Sequence, residues 1–287
     1  MTRSAFTIIE VLVSLSVIGL LMALTIPAVQ SARASARQTE CRNHLKQLGV
    51  AIHVVQDAKQ YFSCDYNIIR HYGMGVPGYD RTIVIMESDA SRGKPFRNGC
   101  PADPSGRGWY AMSNGTQYGV GNGYLGYSPT PGVEDHRRVA DFTDGLSQTV
   151  AFSEHPGVTE ADQLTPQDNP KTIPAWISKR MTTPGTEQQF IDLCRSPSNS
   201  PVPLYIAAGH ETGYTHMFTP NTRGCWNNAP VNDPTLRAYM PASSYHTGGV
   251  NALFVDGHVS FASDSIDAKV WQAVGTINGN EPIGSPF

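Results

Sequence analysis

The chain has 287 residues, a formal net charge of −3 and only 16% charged residues. That length allows one large domain or two small ones with a real core, and the lack of a basic face excludes an electrostatic nucleic-acid binder. Its 27 glycines and 21 prolines require many turns, which excludes an all-helical protein.

The N-terminal segment differs from everything after it. Phe6 to Val29 spans 24 residues, 17 of them apolar, and Val11 to Ala32 carries no charge over 22 residues. As a helix the uncharged stretch is about 33 Å long, enough to cross a hydrocarbon core of about 30 Å. It is apolar on every face, which sets it apart from a helix packed by one side into a core. A secretory signal peptide would need a basic start and a shorter apolar run before a small-x-small cut. Ala32-Arg33-Ala34 weakly fits such a cut, but only five residues precede the apolar run. Glu10 is the unusual residue, because a carboxylate at the start of a membrane span is costly without a partner.

Ser4-Ala5-Phe6-Thr7-Ile8-Ile9-Glu10 closely resembles the prepilin signal of type IV pilins and type II secretion pseudopilins. The resemblance implies peptidase cleavage between Ala5 and Phe6, N-methylation of Phe6, and an assembly role for Glu10. Ala5 stands where that family more often has glycine, and Pro27 sits where many pilins carry a helix-kinking proline. A mature Phe6 amine would be a cation at the membrane boundary, and Glu10 of a neighbouring subunit would offset it. The basic residues run the other way: Arg3 precedes the span, while Arg33, Arg37, Arg42 and Lys46 follow it, the reverse of the positive-inside pattern. The leader motif is given the greater weight.

From Arg33 to about Gln60 the chain stays helical. Cys41, Leu45, Leu48, Ile52 and Val55 are spaced 4, 3, 4 and 3 residues apart, a heptad-like stripe that packs one helix face on a sheet. Gly49 reads as a weakness within it. Residues 73–137 read as a loop-rich insertion with short strands, since Gly73 to Gly132 holds 13 of the 27 glycines. Gly121-Asn122-Gly123-Tyr124-Leu125-Gly126 fits a dinucleotide fingerprint but lacks the following helix, because Pro129 and Pro131 come next. The aromatic run from Tyr118 to Tyr127 is either a contact surface for carbohydrate or protein, or a packed loop. Asp144-Gly145 marks a turn before a strand that ends near Glu154, and Asp162 to Gly185 reads as a loop.

Val250 to Val255 and His258 to Ala262 flank Asp256-Gly257, which predicts a hairpin with a two-residue type I′ turn. A short helix follows, with Ser265 as its cap and Gly275 as its terminator. His246, nine residues and then Asp256-Gly257 match the H-x9-DG motif. Together with the Cys41-to-Gly49 and Phe142-to-Glu154 segments, this resembles a large bacterial family of prepilin-like proteins with an uncharacterised globular domain.

The five cysteines, Cys41, Cys64, Cys100, Cys194 and Cys225, form no C-x-x-C pair. Their odd number leaves at least one unpaired within the chain, and partial disulfides fit a domain outside the cytoplasm. His246 and Asp256 are too few to make a metal site, so Asp256 is assigned to the turn and His246 to packing where the strand begins. His210-Glu211-Thr212-Gly213-Tyr214-Thr215-His216 fails the spacing of a zinc peptidase, because Tyr214 stands where the second histidine belongs. Asp256, Asp264 and Asp267 are candidate calcium donors by comparison with the pseudopilins, although no D-x-D-x-D loop holds them.

The expected architecture is α+β. Residues 1–5 are a prepilin leader, 6–32 a membrane-spanning helix segment, and 33–287 an extracytoplasmic domain in which the helix packs on an antiparallel sheet, with the H-x9-DG hairpin at 246–262. The expected role is a pilin or pseudopilin-like subunit at the inner membrane, with no enzymatic activity and no cofactor. Its expected partners are a prepilin peptidase, the inner-membrane assembly platform and pilin-like subunits or further copies of itself. The rivals are a tethered adhesin or glycan-capture module that does not polymerise, and a metal-dependent hydrolase built on His210, Glu211 and His216.

Overall fold

The computed structural model describes residues 7–64, 100–104, 109–116, 121–125, 136–156, 176–177, 187–194, 200–201, 213–222, 224–226 and 238–280. Ala5, Phe6, His210, Glu211 and most of the 73–137 and 162–185 segments lie outside them.

One helix, α1, runs from Ile8 to Lys59, about 78 Å at 1.5 Å per residue. It starts with a capping box. The Thr7 hydroxyl accepts the Glu10 N–H at 3.3 Å, and the Glu10 carboxylate accepts the Thr7 N–H at 2.8 Å. It ends at Gln60, whose φ of 63° takes the chain into the left-handed region while its N–H still bonds the Gln56 carbonyl. Pro27 lies inside the helix and removes the hydrogen bond its position would give to the fourth residue before it.

The two halves of α1 have opposite surroundings. Ile8 to Val29 exposes every large apolar side chain, Leu20 at 64% and Leu24 at 67% among them. This is a helix long and apolar enough to cross a membrane, and none of its most apolar stretch is buried inside the protein. From Cys41 onward one face is buried: Cys41, Leu45, Leu48, Ala51, Ile52 and Val55 are each fully covered. The predicted stripe is therefore the packing face.

That face lies on a five-stranded sheet. Its strands are β1 (Trp109–Ser113), β2 (Val150–His155), β5 (Gly213–Tyr214), β8 (Gly249–Phe254) and β9 (Val259–Ser263), in the order β5-β1-β2-β8-β9. β1–β2, β2–β8 and β8–β9 are antiparallel, but β1–β5 is parallel. The sheet is mixed, which corrects the expected fully antiparallel one. β1 also comes from the stretch read as an insertion, and it is an integral strand.

Four two-residue strands, β3 (Trp176–Ile177), β4 (Ser200–Pro201), β6 (Cys225–Trp226) and β7 (Ala238–Tyr239), pair in a second sheet of order β4-β3-β6-β7. Two short α-helices, α2 (Glu187–Cys194) and α3 (Ala268–Ala273), and a 3-10 turn at Val139–Asp141 complete the described elements.

Both faces of the main sheet are covered. On one side Tyr110, Met112, Phe152 and Leu253 join the α1 stripe with Phe62, Tyr124 and Phe142. On the other, Ala111, Val150, Val250, Ala252 and Phe254 pack with Tyr214, Trp271 and Val274. All six residues of β2 and all six of β8 are buried, as central strands covered on both faces must be.

The β8–β9 hairpin forms where predicted, but its loop is one residue longer. The Gly257 N–H bonds the Phe254 carbonyl, and the Phe254 N–H bonds the His258 carbonyl. Gly257 alone in the loop takes a positive φ, +90°. This is a three-residue loop with glycine at the bulge, not a type I′ turn, which needs positive φ at both central residues. The tip rests on α1. A Cβ on Gly49 would stand 3.3 Å from Gly257 Cα and 3.0 Å from Leu253 Cδ1, so Gly49 is the place where helix and hairpin approach, not a weakness. The cap of α3 is likewise Asp267, whose carboxylate accepts the N–H groups of Lys269 and Val270, and the helix closes at Val274. Asp267 replaces Ser265 because the helix begins two residues later than its composition suggested.

Candidate functional site

α1 first becomes buried at Cys41, and this residue forms a disulfide with Cys100, 59 residues later, with the two Cα atoms 4.9 Å apart. Cys100 opens a tight turn in which its carbonyl accepts the Asp103 N–H. Two further polar side chains face the disulfide on the α1 side of the sheet. Glu154, from β2, is 1% exposed. Its Oε2 accepts the backbone N–H of Asn251 on β8 at 2.8 Å, and its Oε1 accepts the Asn251 side-chain amide at 2.9 Å. His246, in the loop before β8, places Nε2 3.1 Å from Glu154 Oε1 and 3.1 Å from Cys100 Sγ.

The loop carrying His246 is held by a chain of hydrogen bonds. Asn221 donates to Asp264 at 2.6 Å and accepts the Ser244 N–H at 2.8 Å. The Ser244 hydroxyl in turn accepts the His246 N–H at 3.1 Å. Asn221 sits at φ 58°, a left-handed geometry that asparagine tolerates well. Tyr110 lies opposite Glu154 across β1–β2, and its hydroxyl donates to the Cys41 carbonyl at 3.3 Å. Burial, followed by the negative charges of Glu154 and Glu40, pushes the Tyr110 phenol well above its ordinary range, so it stays a neutral donor.

Among the described residues, Cys41, Cys100, Glu154 and His246 are the group of metal-capable side chains brought together. One ligand atom of each lies within 4.8 Å of the others, and all four residues are buried. The two sulfurs are joined in a disulfide here; as thiolates, together with an imidazole nitrogen and a carboxylate oxygen, they would be the donor types that tetrahedral zinc uses.

His246 is at the start of β8, as expected, but it is bonded to Glu154 and does more than pack. Asp256 makes the hairpin tip, accepting the His258 N–H at 3.0 Å and contacting His258 Nδ1 at 2.6 Å. The motif histidine and aspartate thus sit at opposite ends of β8. The three calcium candidates have separate tasks: Asp256 in the turn, Asp264 on Asn221 and Asp267 at the α3 cap. They are not brought together.

His216 is fully buried, with Nδ1 2.8 Å from the Trp271 carbonyl and Nε2 2.9 Å from the Tyr214 hydroxyl. Burial lowers its pKa to about 3, against a smaller opposing effect of the Trp271 carbonyl. It is a neutral core histidine. Tyr124, within the aromatic run considered as a contact surface, is also fully buried and bonds the Ser63 carbonyl. Cys64 keeps its thiol, directed at the Tyr124 carbonyl at 3.5 Å, and Cys194 is disulfide-bonded.

Sequence reasoning missed the pairing of Cys41 with Cys100 and the roles of Glu154 and Asn251. The available signal was the acid itself: Glu154 is a charged residue in a six-residue strand, Val150–His155, all of which is buried. The three segments that carried the family resemblance supply Cys41, Glu154 and His246, and they meet at this one place.

No curated protein and no solved structure matches the chain. A family described as a protein of unknown function, DUF1559, matches residues 30–62 and 83–269, which is well over half of the sequence, and the chain belongs to that family.

Proposed function

We propose that the protein is a pilin-like structural subunit, anchored in the inner membrane by the first half of α1, with its globular domain outside the cytoplasm. The observation that carries this reading is the division of one continuous helix. Ile8 to Val29 has apolar side chains exposed on every face, while the Cys41-to-Val55 face of the same helix builds the core. A soluble protein would leave the first half in water at a large cost in apolar exposure. Membership of a family known for prepilin-like N-terminal helices supports the same reading.

The leader sequence supplies the maturation step: a prepilin peptidase removes residues 1–5, and Phe6 becomes the methylated N-terminus. Glu10 folds back on Thr7 at that same end of α1, its carboxylate 2.8 Å from the Thr7 N–H and 2.9 Å from the hydroxyl. In an assembly it exchanges these local bonds for the Phe6 amine of a neighbouring copy, a pairing that offsets the cost of an intramembrane carboxylate.

Mass spectrometry of the protein from native membranes tests the maturation, and a chain starting at N-methylated Phe6 is expected. An intact Met1, or a terminus near Ala34, would overturn it. Crosslinking of Glu10→Ala in membranes tests assembly: the variant should insert and be cleaved normally yet lose the oligomers of the parent. Unchanged oligomers would reduce the protein to a tethered domain.

A further inference from the structure

We propose that the Cys41–Cys100 disulfide is the closed state of a redox-gated metal site, and that the reduced protein holds one Zn²⁺ on Cys41, Cys100, His246 and Glu154. A structural disulfide needs only two cysteines. Here it is faced by a buried carboxylate and a buried imidazole, costly groups to take from water unless they are paired or put to use. His246 Nε2 lies 3.1 Å from Glu154 Oε1 and 3.1 Å from Cys100 Sγ, between the two groups that would become its fellow ligands. In a tetrahedral zinc site with ordinary bond lengths, ligand atoms lie about 3.3–3.8 Å apart. The four ligand atoms here already fall within 4.8 Å of one another, so the sulfurs need only part while the nitrogen and oxygen shift slightly.

The supporting shell is also in place. Asn251 holds both oxygens of Glu154 through its backbone and side-chain N–H groups, and Ser244 holds the His246 backbone. Such second contacts orient metal ligands and tune their affinity. A protein partner has little access to either sulfur, since Cys41 is fully covered and Cys100 is 7% exposed, so the reductant that opens the pair is a small thiol reaching Cys100.

The opening step balances with a thiol reductant. Two reductant thiols become one disulfide, and their two electrons and two protons convert Cys41–Cys100 to two thiols. Zinc then displaces the two thiol protons. His246 binds through Nε2 as a neutral ring, its proton carried on Nδ1, and Glu154 exchanges its bond from His246 for the metal while keeping Asn251. In an oxidising compartment the site stays shut.

The test uses the full chain in detergent micelles with Cys64→Ser, and Co²⁺ as a spectroscopic probe beside Zn²⁺. Oxidised protein should take up no metal. Dithiothreitol-reduced protein, freed of reductant without air, should take up one Co²⁺ with thiolate-to-cobalt charge-transfer absorption, and one equivalent of Zn²⁺ should displace it. Glu154→Gln should weaken Zn²⁺ binding at least tenfold and His246→Ala more, while Cys194→Ser leaves it unchanged. Circular dichroism follows the fold throughout: a reduced protein that loosens should regain its spectrum with Zn²⁺. The proposal is overturned if the reduced chain gives no thiolate–cobalt band, if His246→Ala and Glu154→Gln bind like the parent, or if a loosened reduced chain is not restored by metal.

Discussion

Leu48 and Leu20 lie on the same helix, yet truncating them should have unrelated consequences. Leu48 is fully buried in the cluster formed by Cys41, Leu45, Ile52, Phe152 and Leu253, whereas Leu20 is 64% exposed. Leu48→Ala removes three buried carbons and leaves a cavity against a rigid sheet, which costs about 3–5 kcal/mol for well-enclosed leucines. Leu20→Ala removes no contact within the domain and should change its stability by less than about 0.5 kcal/mol. Leu48→Asp, which forces a charge into the same space, should exceed Leu48→Ala and can prevent folding. The assay is urea unfolding of the full chain in detergent micelles, followed by tryptophan fluorescence, since Trp271 is fully buried in the domain. A midpoint for Leu48→Ala within error of the parent's, or a shift for Leu20→Ala of the same size, would refute the division of α1 into a core half and an anchor half.

Replacing both Cys41 and Cys100 by serine should destabilise the domain by about 4 kcal/mol on the loop-entropy scale, given their 59-residue separation, and equal urea midpoints for variant and parent would contradict this. His216 gives a signature in pH. Its folded pKa, lowered to about 3, lies below the unfolded value near 6.5, so between those values the unfolded chain binds the extra proton. Its share of stability is therefore present above about pH 6.5 and is lost as the pH falls toward 3, at about 1.4 kcal/mol per pH unit. His216→Gln should show a stability–pH slope between pH 6 and 4 that is shallower than the parent's by that amount, whatever its absolute stability; parallel slopes would show that His216 is not buried neutral.

The stripe from Cys41 to Val55 was legible because helix periodicity survives whatever the helix packs against. The β8–β9 hairpin was legible because its strands are local and apolar. Its loop length was not, since Asp-Gly serves both a two-residue loop and the last two positions of a three-residue one, and only the pairing of Phe254 with His258 decides between them. Short strands were expected in the glycine-rich stretch, but that β1 is integral to the main sheet was not legible, because its partners, β2 and β5, are remote in sequence. The site failed in a specific way. His246 was assigned to packing where the strand begins and Asp256 to the turn, and nothing near either in sequence marked the buried Glu154 and Cys100 that His246 meets. The six-residue strand β8 between His246 and Asp256 is about 20 Å long, so each meets its partners at a different end.

The position of the disulfide on α1 has a mechanical meaning. Cys41 is the first buried residue of the helix; residues 7 to 40 have no buried side chain. The domain therefore grips α1 by one face, and that grip begins at Cys41. In the proposed membrane assembly, any pull along the exposed half of α1, from lipid or from neighbouring copies, would act on the stripe at this end, where packed side chains would separate one after another. A covalent link at the first gripped residue makes the whole stripe share the load, because Leu45 and Leu48 cannot leave the sheet while Cys41 is held to Cys100. The same reasoning explains why a metal can replace the bond without changing the fold. Zn²⁺ on Cys41, Cys100, His246 and Glu154 would tie α1 to β2 and to the loop before β8, closing the same end of the same stripe. Among the described residues, reduction without metal leaves that end held by the packing around Leu45, by Tyr110 on the Cys41 carbonyl and by the contact of His44 with the Tyr110 hydroxyl, so the reduced, metal-free protein is the form in which α1 should detach first.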